Sequence, residues 1–287
     1  MKNTVRKSET ATMVQFNNLF IEMSGKNCNQ KCKHCYIKFP QLKKVQDFIQ
    51  TDTVLDALNT LSEQKLECIY LTGAEPMTHP NFNSILRLCL KKTDVCICTN
   101  GSFINEKKAR FLKKVENESD NEIFFEISLD HYDEIKNDDI RYRGAYRQAL
   151  FATKHLSKYG FSPIIHVTNY YKEKPELLVE NIIKIFDNIN CEINKNHIKI
   201  TPYFDITSNN KDLEIHINPD TRLDCRYGRV LSEKGIYSCP FLSGDYRGRC
   251  GSTFENFSEN ISLETEYCAT CIQNGYEIFG IIPEQFA

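Results

Sequence analysis

Between residues 16 and 204, six runs of strand character alternate with five of helical periodicity, and few folds accommodate that order. The strand-like runs are 16–23, 68–71, 95–98, 123–129, 163–168 and 198–204. The segments 51–64, 81–91, 105–118, 146–159 and 175–188 read as helices. On the first, Val54, Leu55, Leu58 and Leu61 recur at helical spacing, and Thr51 or Asp52 is placed as its cap. Strand–helix alternation predicts an α/β fold with a parallel sheet and right-handed crossovers, either doubly wound or curled into a barrel. In both, functional groups collect in loops at the C-terminal ends of strands. The alternation stops near residue 205. A polar, irregular stretch follows, and from Leu223 the chain is rich in Gly, Cys and aromatic residues without helical periodicity. The expected division is an N-terminal extension (1–13), a core domain (14–210) and a small Cys-rich domain (211–287).

Cysteine is the compositional anomaly: the chain has 13 in 287 residues. A disulfide scaffold is short, secreted and even-numbered. This chain is long, and its first residues lack the apolar core of a secretory signal, so a cytoplasmic, reducing setting is expected. Reduced cysteine at this density points to metal or catalysis. A formal net charge of -2 gives no electrostatic footprint for nucleic acid. No apolar run approaches the ~20 residues of a membrane helix, so no membrane partner is expected.

Cys28, Cys32 and Cys35 follow the first strand as C-x3-C-x2-C. Thiolates so spaced on a tight loop can converge on one inorganic centre. Three thiolates on a cubane leave one iron open to a ligand, whereas a structural zinc site needs a fourth, distant ligand. After the second strand comes Gly73-Ala74-Glu75-Pro76. A Gly-Ala pair at a strand end lets backbone approach a ligand closely, and the following carboxylate can meet an ammonium group.

These two motifs, each placed after its strand, resemble the radical S-adenosylmethionine (radical SAM) superfamily over most of residues 14–205. The resemblance implies a partial (β/α)6 barrel with a [4Fe-4S] cluster on Cys28, Cys32 and Cys35. The open iron would take the amine and carboxylate of SAM. Gly73, Ala74 and Glu75 would then hold the SAM amino group. Ala74 stands where a second glycine is common in the family, and His34 where an aromatic residue is common. Asn100, in Thr99-Asn100-Gly101, Ser128, in Ser128-Leu-Asp130, Arg143, in Arg141-Tyr-Arg143-Gly144, and Pro202 match further family segments, and all four are expected as SAM contacts.

Cys225, Cys239, Cys268 and Cys271 form C-x13-C-x28-C-x2-C. Four cysteines in two pieces can enclose a tetrahedral centre, zinc or iron-sulfur. Within the family resemblance they look like a Twitch module, a shortened SPASM-type extension holding one auxiliary cluster, of the [4Fe-4S] type by that likeness. Cys250 is an alternative ligand. Cys68, Cys89, Cys96 and Cys98 are expected as small buried apolar residues.

The activity implied is reductive cleavage of SAM to methionine and a 5′-deoxyadenosyl radical that takes hydrogen from a substrate C–H bond. The auxiliary cluster is then a candidate acceptor for the substrate electron, and a flavodoxin- or ferredoxin-type protein is the expected donor. Small-molecule oxidation and peptide modification both stay open. So does a non-enzymatic reading, an iron-sulfur or zinc redox-sensing module. No proton acceptor is assigned among His131, Tyr132, His166, Tyr203 and Asp205.

Overall fold

All six expected strands form, and they lie side by side in chain order. The computed structural model describes residues 10–38, 47–204 and 223–274. After a short β1 (Thr10–Thr12), the parallel strands are β2 (Asn18–Glu22), β3 (Cys68–Thr72), β4 (Asp94–Thr99), β5 (Ile123–Ser128), β6 (Ile164–Asn169) and β7 (Ile198–Pro202). The crossovers are α1 (Thr51–Thr60), α2 (Phe82–Leu90), α3 (Glu106–Glu116), α4 (Glu134–Ile140) with α5 (Ala145–Lys158), and α6 (Pro175–Asp187). This is the partial (β/α)6 barrel expected.

The side chains explain the curl. Leu19, Ile21, Ile69, Leu71, Val95 and Ile97 alternate along their strands and join the helices in one large core. The opposite parity carries Phe20, Tyr70 and Cys96, which pack as a separate cluster on the inner face. Phe20 and Tyr70 are register partners and stack at 4.6 Å. Toward the C-terminal strand ends this inner parity turns polar, with Glu22, Thr72, Cys98, Glu126, Ser128, His166 and Thr201. A purely parallel sheet buried on both faces reads as continuous apolar strands. One polar inner face marks a sheet that encloses a cavity.

Local signals set the helix starts. Asn105 and Asp133 accept the backbone N–H groups of Lys108 and Lys136, each at 2.9 Å, capping α3 and α4. Pro175 opens α6, where a missing N–H is harmless. At α1 the expectation fails. Thr51 and Asp52 lie inside the helix, Gln50 is the N-cap and makes no side-chain cap bond. Instead Glu233 reaches across from the C-terminal region, accepting from Gln50 N at 2.8 Å and Thr53 Oγ1 at 3.1 Å.

The C-terminal region is built onto the barrel sheet. β8 (Gly228–Ser232) pairs in parallel with β2, and β9 (Gly235–Tyr237) and β10 (Arg249–Gly251) extend the sheet antiparallel. The sheet order is therefore β10-β9-β8-β2-β3-β4-β5-β6-β7. β11 (Asn260–Ser262) pairs with β1. The last element is α7 (Glu266–Asn274), a helix in a stretch expected to have none; Thr265 caps it by accepting from Cys268 N at 3.2 Å. The chain from 205 to 222, where the domain boundary was expected, lies outside the described residues, as do residues 1–9. Among the described residues no helix is long and apolar enough to cross a membrane.

Candidate active site

The polar inner face opens into one pocket at the C-terminal ends of the strands. Cys28, Cys32 and Cys35 all line it, as do Gly73, Ala74, Asn100, Ser128 and Pro202. The cysteine loop and the ends of several strands thus meet in a single space. Gly73 has φ +108, and a Cβ there would fall 2.6 Å from Ser24 O, so only glycine lets β3 end this close to the cysteine loop.

The loop thiols are held from two sides. Gln30 N points at Cys28 Sγ at 3.4 Å, and Asn100 Nδ2 lies 3.8 Å from the same sulfur while donating to Asn29 Oδ1 at 3.0 Å. Burial pushes the Cys28 thiol up to about 11, and Glu75 and the two neighbouring cysteines add to the shift. No group of three His, Cys, Asp or Glu side chains among the described residues is arranged to hold a metal ion as it stands. What the loop offers is three thiols around a common space. Thiols are ionised by a metal centre that they ligate, and the buried Cys28 most needs that help, so the donor chemistry fits an iron-sulfur cluster.

Glu75, expected to hold the SAM amino group, is placed among protein donors. Its carboxylate is 1 % exposed and does not line the pocket. It accepts from Thr99 Oγ1 at 2.8 Å, Asn100 N at 2.8 Å and Met77 N at 3.2 Å. These donors hold the buried carboxylate in place. Glu75 therefore ties the end of β3 to the end of β4 and sets Asn100, while Gly73 and Ala74 present the motif to the pocket.

The arginine expected here also changes. Arg143 is exposed and lies outside the pocket, whereas Arg141 is buried and lines it. The cause is Asp130, 2 % exposed at the end of β5, whose Oδ2 accepts from Arg141 Nε at 2.7 Å. Burial alone raises the Asp130 carboxyl, but Arg141 and His34 outweigh it and hold the group well below the usual carboxylate range. That anion pulls the first arginine of the segment inward and leaves the second in solvent.

The proton-acceptor candidates separate clearly. His131 is locked: its Nε2 donates to Glu173 at 2.9 Å and its Nδ1 accepts from Asp133 N at 2.8 Å. Tyr132 donates to the same Glu173 at 3.3 Å. Neither lines the pocket, but His166 and Tyr203 do. Asp205 lies outside the described residues. His166 is flanked by Thr201 Oγ1 at 3.1 Å and Glu126 at 3.5 Å. Burial pushes the Glu126 carboxyl up, yet Lys199 and His166 bring it below its ordinary value. Cys98 is half-buried and lines the pocket, 3.8 Å from Glu126, unlike Cys68, Cys89 and Cys96, which are buried as expected.

A second pocket is apolar. Cys225, Cys239, Cys268 and Cys271 all line it. Cys250 does not; its Sγ sits 3.6 Å from Gly248 O. Burial raises Cys225, Cys268 and Cys271, and around Cys225 and Cys271 the neighbouring thiols add to it. Four such thiols suit a closed tetrathiolate centre, iron-sulfur or zinc. Arg229, fully buried, fastens this pocket to the barrel through Cys225 O at 2.7 Å and Glu259 O at 2.8 Å. Phe241 lines both pockets. Its ring stacks on Tyr267 at 5.8 Å and meets Tyr36 edge-on at 5.4 Å.

Comparison with known proteins agrees with this architecture. The radical SAM superfamily profile matches residues 24–180. AlbA of Bacillus subtilis (strain 168), an antilisterial bacteriocin subtilosin biosynthesis protein, is 28% identical over 162 residues, which cover 52% of this chain and 33% of AlbA. The chain thus matches about a third of the length of that relative. Streptococcus suis SuiB bound to its precursor peptide SuiA has a TM-score of 0.61 at 14% identity, over 84% of this chain and 63% of SuiB. The protein anSMEcpe with bound AdoMet has a TM-score of 0.64 at 16% identity, over 92% of this chain and 81% of the other. At these identities the structural likeness speaks for the fold.

Proposed function

The chain belongs to the radical SAM superfamily, and from that premise we propose that it cleaves SAM reductively and uses the resulting radical to oxidise a peptide. The observation that carries this reading is the pair of pockets. Three thiols and a set of polar side chains share one cavity, four thiols share another, and Phe241 lines both. A cluster on Cys28, Cys32 and Cys35, when bound, supplies the electron that cleaves SAM to methionine and a 5′-deoxyadenosyl radical.

The protein's part is to hold and orient. Arg141 and Ser128 offer a guanidinium and a hydroxyl to the SAM carboxylate. The Gly73–Ala74 backbone faces its amine, and Pro202 offers a flat apolar edge to the adenine. Asn100 holds both the loop and Cys28. His166, backed by Glu126, is the group we assign as proton acceptor when the substrate is oxidised. Cys225, Cys239, Cys268 and Cys271 would hold an auxiliary cluster within reach of the same cavity. A flavodoxin- or ferredoxin-type protein supplies the electron in this reading.

A peptide substrate is favoured because AlbA serves in bacteriocin biosynthesis and SuiB is seen with a precursor peptide. Small-molecule oxidation is the other outcome to test. The deciding measurement is iron, sulfide and zinc per chain after reconstitution without oxygen, followed by 5′-deoxyadenosine formation from SAM under dithionite. Two cubanes correspond to roughly eight iron and eight sulfide. About two zinc without sulfide would instead mean two structural sites and would remove the radical chemistry.

A further inference from the structure

Asp130 joins three parts of the active site that are distant in sequence. Its Oδ2 accepts from Arg141 Nε at 2.7 Å and also from His34 Nε2 at 2.7 Å. Its Oδ1 accepts from Thr168 N, at the end of β6, at 2.9 Å. Its own backbone N–H donates to Asn137 Oδ1 at 2.9 Å. His34 lies between two of the cluster thiols in sequence, and Arg141 ends α4. A second tie closes the ring, since Lys33 N donates to Ile140 O at 2.8 Å. The cysteine loop is therefore docked on the α4 terminus by one backbone bond and by one carboxylate oxygen shared with the guanidinium.

We propose that Asp130 is a positioning residue that couples the cysteine loop, through His34, to the Arg141 guanidinium, so that the loop and the SAM carboxylate site move as one unit. Three physical points support it. Asp130 is almost fully buried, so its bonds are little weakened by solvent. Bonds to an ionised acceptor are the stronger class and hold direction as well as distance. Sharing one oxygen means that a shift of His34 is felt at Arg141 without any intervening flexible side chain. A carboxamide cannot replace this carboxylate: with Thr168 N on its oxygen, the amide introduced by Asp130→Asn would turn an NH2 group toward the Arg141 guanidinium, which only donates, and would remove the charge that holds it.

This inference rests on the reading of Cys28, Cys32 and Cys35 as the cluster loop, and two experiments keep the failures apart. In the iron-loaded enzyme, SAM binding is measured by equilibrium dialysis, and the reduced cluster is followed by electron paramagnetic resonance with and without SAM. D130N is expected to weaken SAM binding about tenfold or more, the scale of one charge-assisted hydrogen bond, and to lose the spectral change that SAM produces, with iron content unaltered. H34L is expected to show the same spectral loss, and H34Q, which keeps an N–H donor for Asp130, to restore it. In the iron-free full chain, iodoacetamide labelling of Cys32 and Cys35 is followed by peptide mass spectrometry, with Cys250 as internal reference. D130N and H34L should label these two thiols several-fold faster than wild type, and H34Q should not. Wild-type labelling rates in D130N and H34L, or unchanged SAM affinity and spectra in D130N, would overturn the coupling. A wild-type protein that binds no iron would overturn the proposed function instead, while the labelling comparison would still decide whether Asp130 holds the loop.

Discussion

At the residue scale, the site depends on which atoms face the cavity. Cys32 belongs to the loop that lines it and lies outside the large hydrophobic core. Cys32→Ala should therefore abolish 5′-deoxyadenosine formation while far-ultraviolet circular dichroism and thermal unfolding stay near wild type; SAM cleavage at the wild-type rate would remove this loop from the cluster. The two arginines of one short segment make a paired test. Arg141→Gln should raise the SAM dissociation constant by about one to two powers of ten, the range for a hydrogen bond to a charged group. Arg143→Gln, altering an exposed side chain, should leave it within about twofold, a difference of under ~0.5 kcal/mol. Equilibrium dialysis with SAM checks both. The sequence segment contains both arginines, and nothing in it says which one turns inward. That choice belongs to Asp130, whose buried carboxylate selects the partner it can reach. Glu75 shows the same limit: its motif is legible, but its role as a tie between strand ends follows from the Thr99 and Asn100 donors that the neighbouring strand brings to it.

At the scale of elements, the strand ends carry the function because the sheet parity puts polar side chains inward. This much was available in the sequence. Cys98, Glu126, Ser128 and His166 share the inner parity of their strands, and following that alternation from strand to strand would have found Glu126 as well as His166. Register decides the rest: Cys98 lies opposite Glu126, and Ser128 opposite His166. Gly73 is the hinge of the β3 end, and Gly73→Ala places a methyl 2.6 Å from Ser24 O in a left-handed backbone conformation. It should destabilise the fold by about 1–3 kcal/mol, read as a lower urea midpoint, and weaken SAM binding with it. A wild-type midpoint would show that the loop yields freely. Glu233 caps α1 from a strand turn far away in sequence, so Glu233→Ala should cost about 1 kcal/mol in urea unfolding. No local signal before α1 predicts that contact, since the capping group arrives only when β8 docks on β2.

At the scale of the whole molecule, the two cysteine groups line two pockets that share Phe241, and division of labour between them is the consequence to test. Cys268→Ala should lower bound iron from roughly eight toward four per chain and spare SAM cleavage more than substrate turnover. Equal loss of both activities in a folded barrel would mean that the second pocket supports the first rather than serving the substrate. The sequence by itself determined the α/β class, the presence of six strands in a parallel sheet, the three thiols after the first of them and the four cysteines that share the second pocket. These rest on local periodicity and on residue chemistry, which a linear pattern records. Only the tertiary structure decided that the Cys-rich segment continues the barrel sheet through β8, that Arg141 rather than Arg143 enters the pocket, that Glu75 bridges the ends of β3 and β4, and that Phe241 lines both pockets. Each of these depends on groups far apart in the chain meeting at one buried partner, one sheet edge or one pocket. The outcome is set by distance and desolvation in the folded state, and neither is written in the spacing of residues along the sequence.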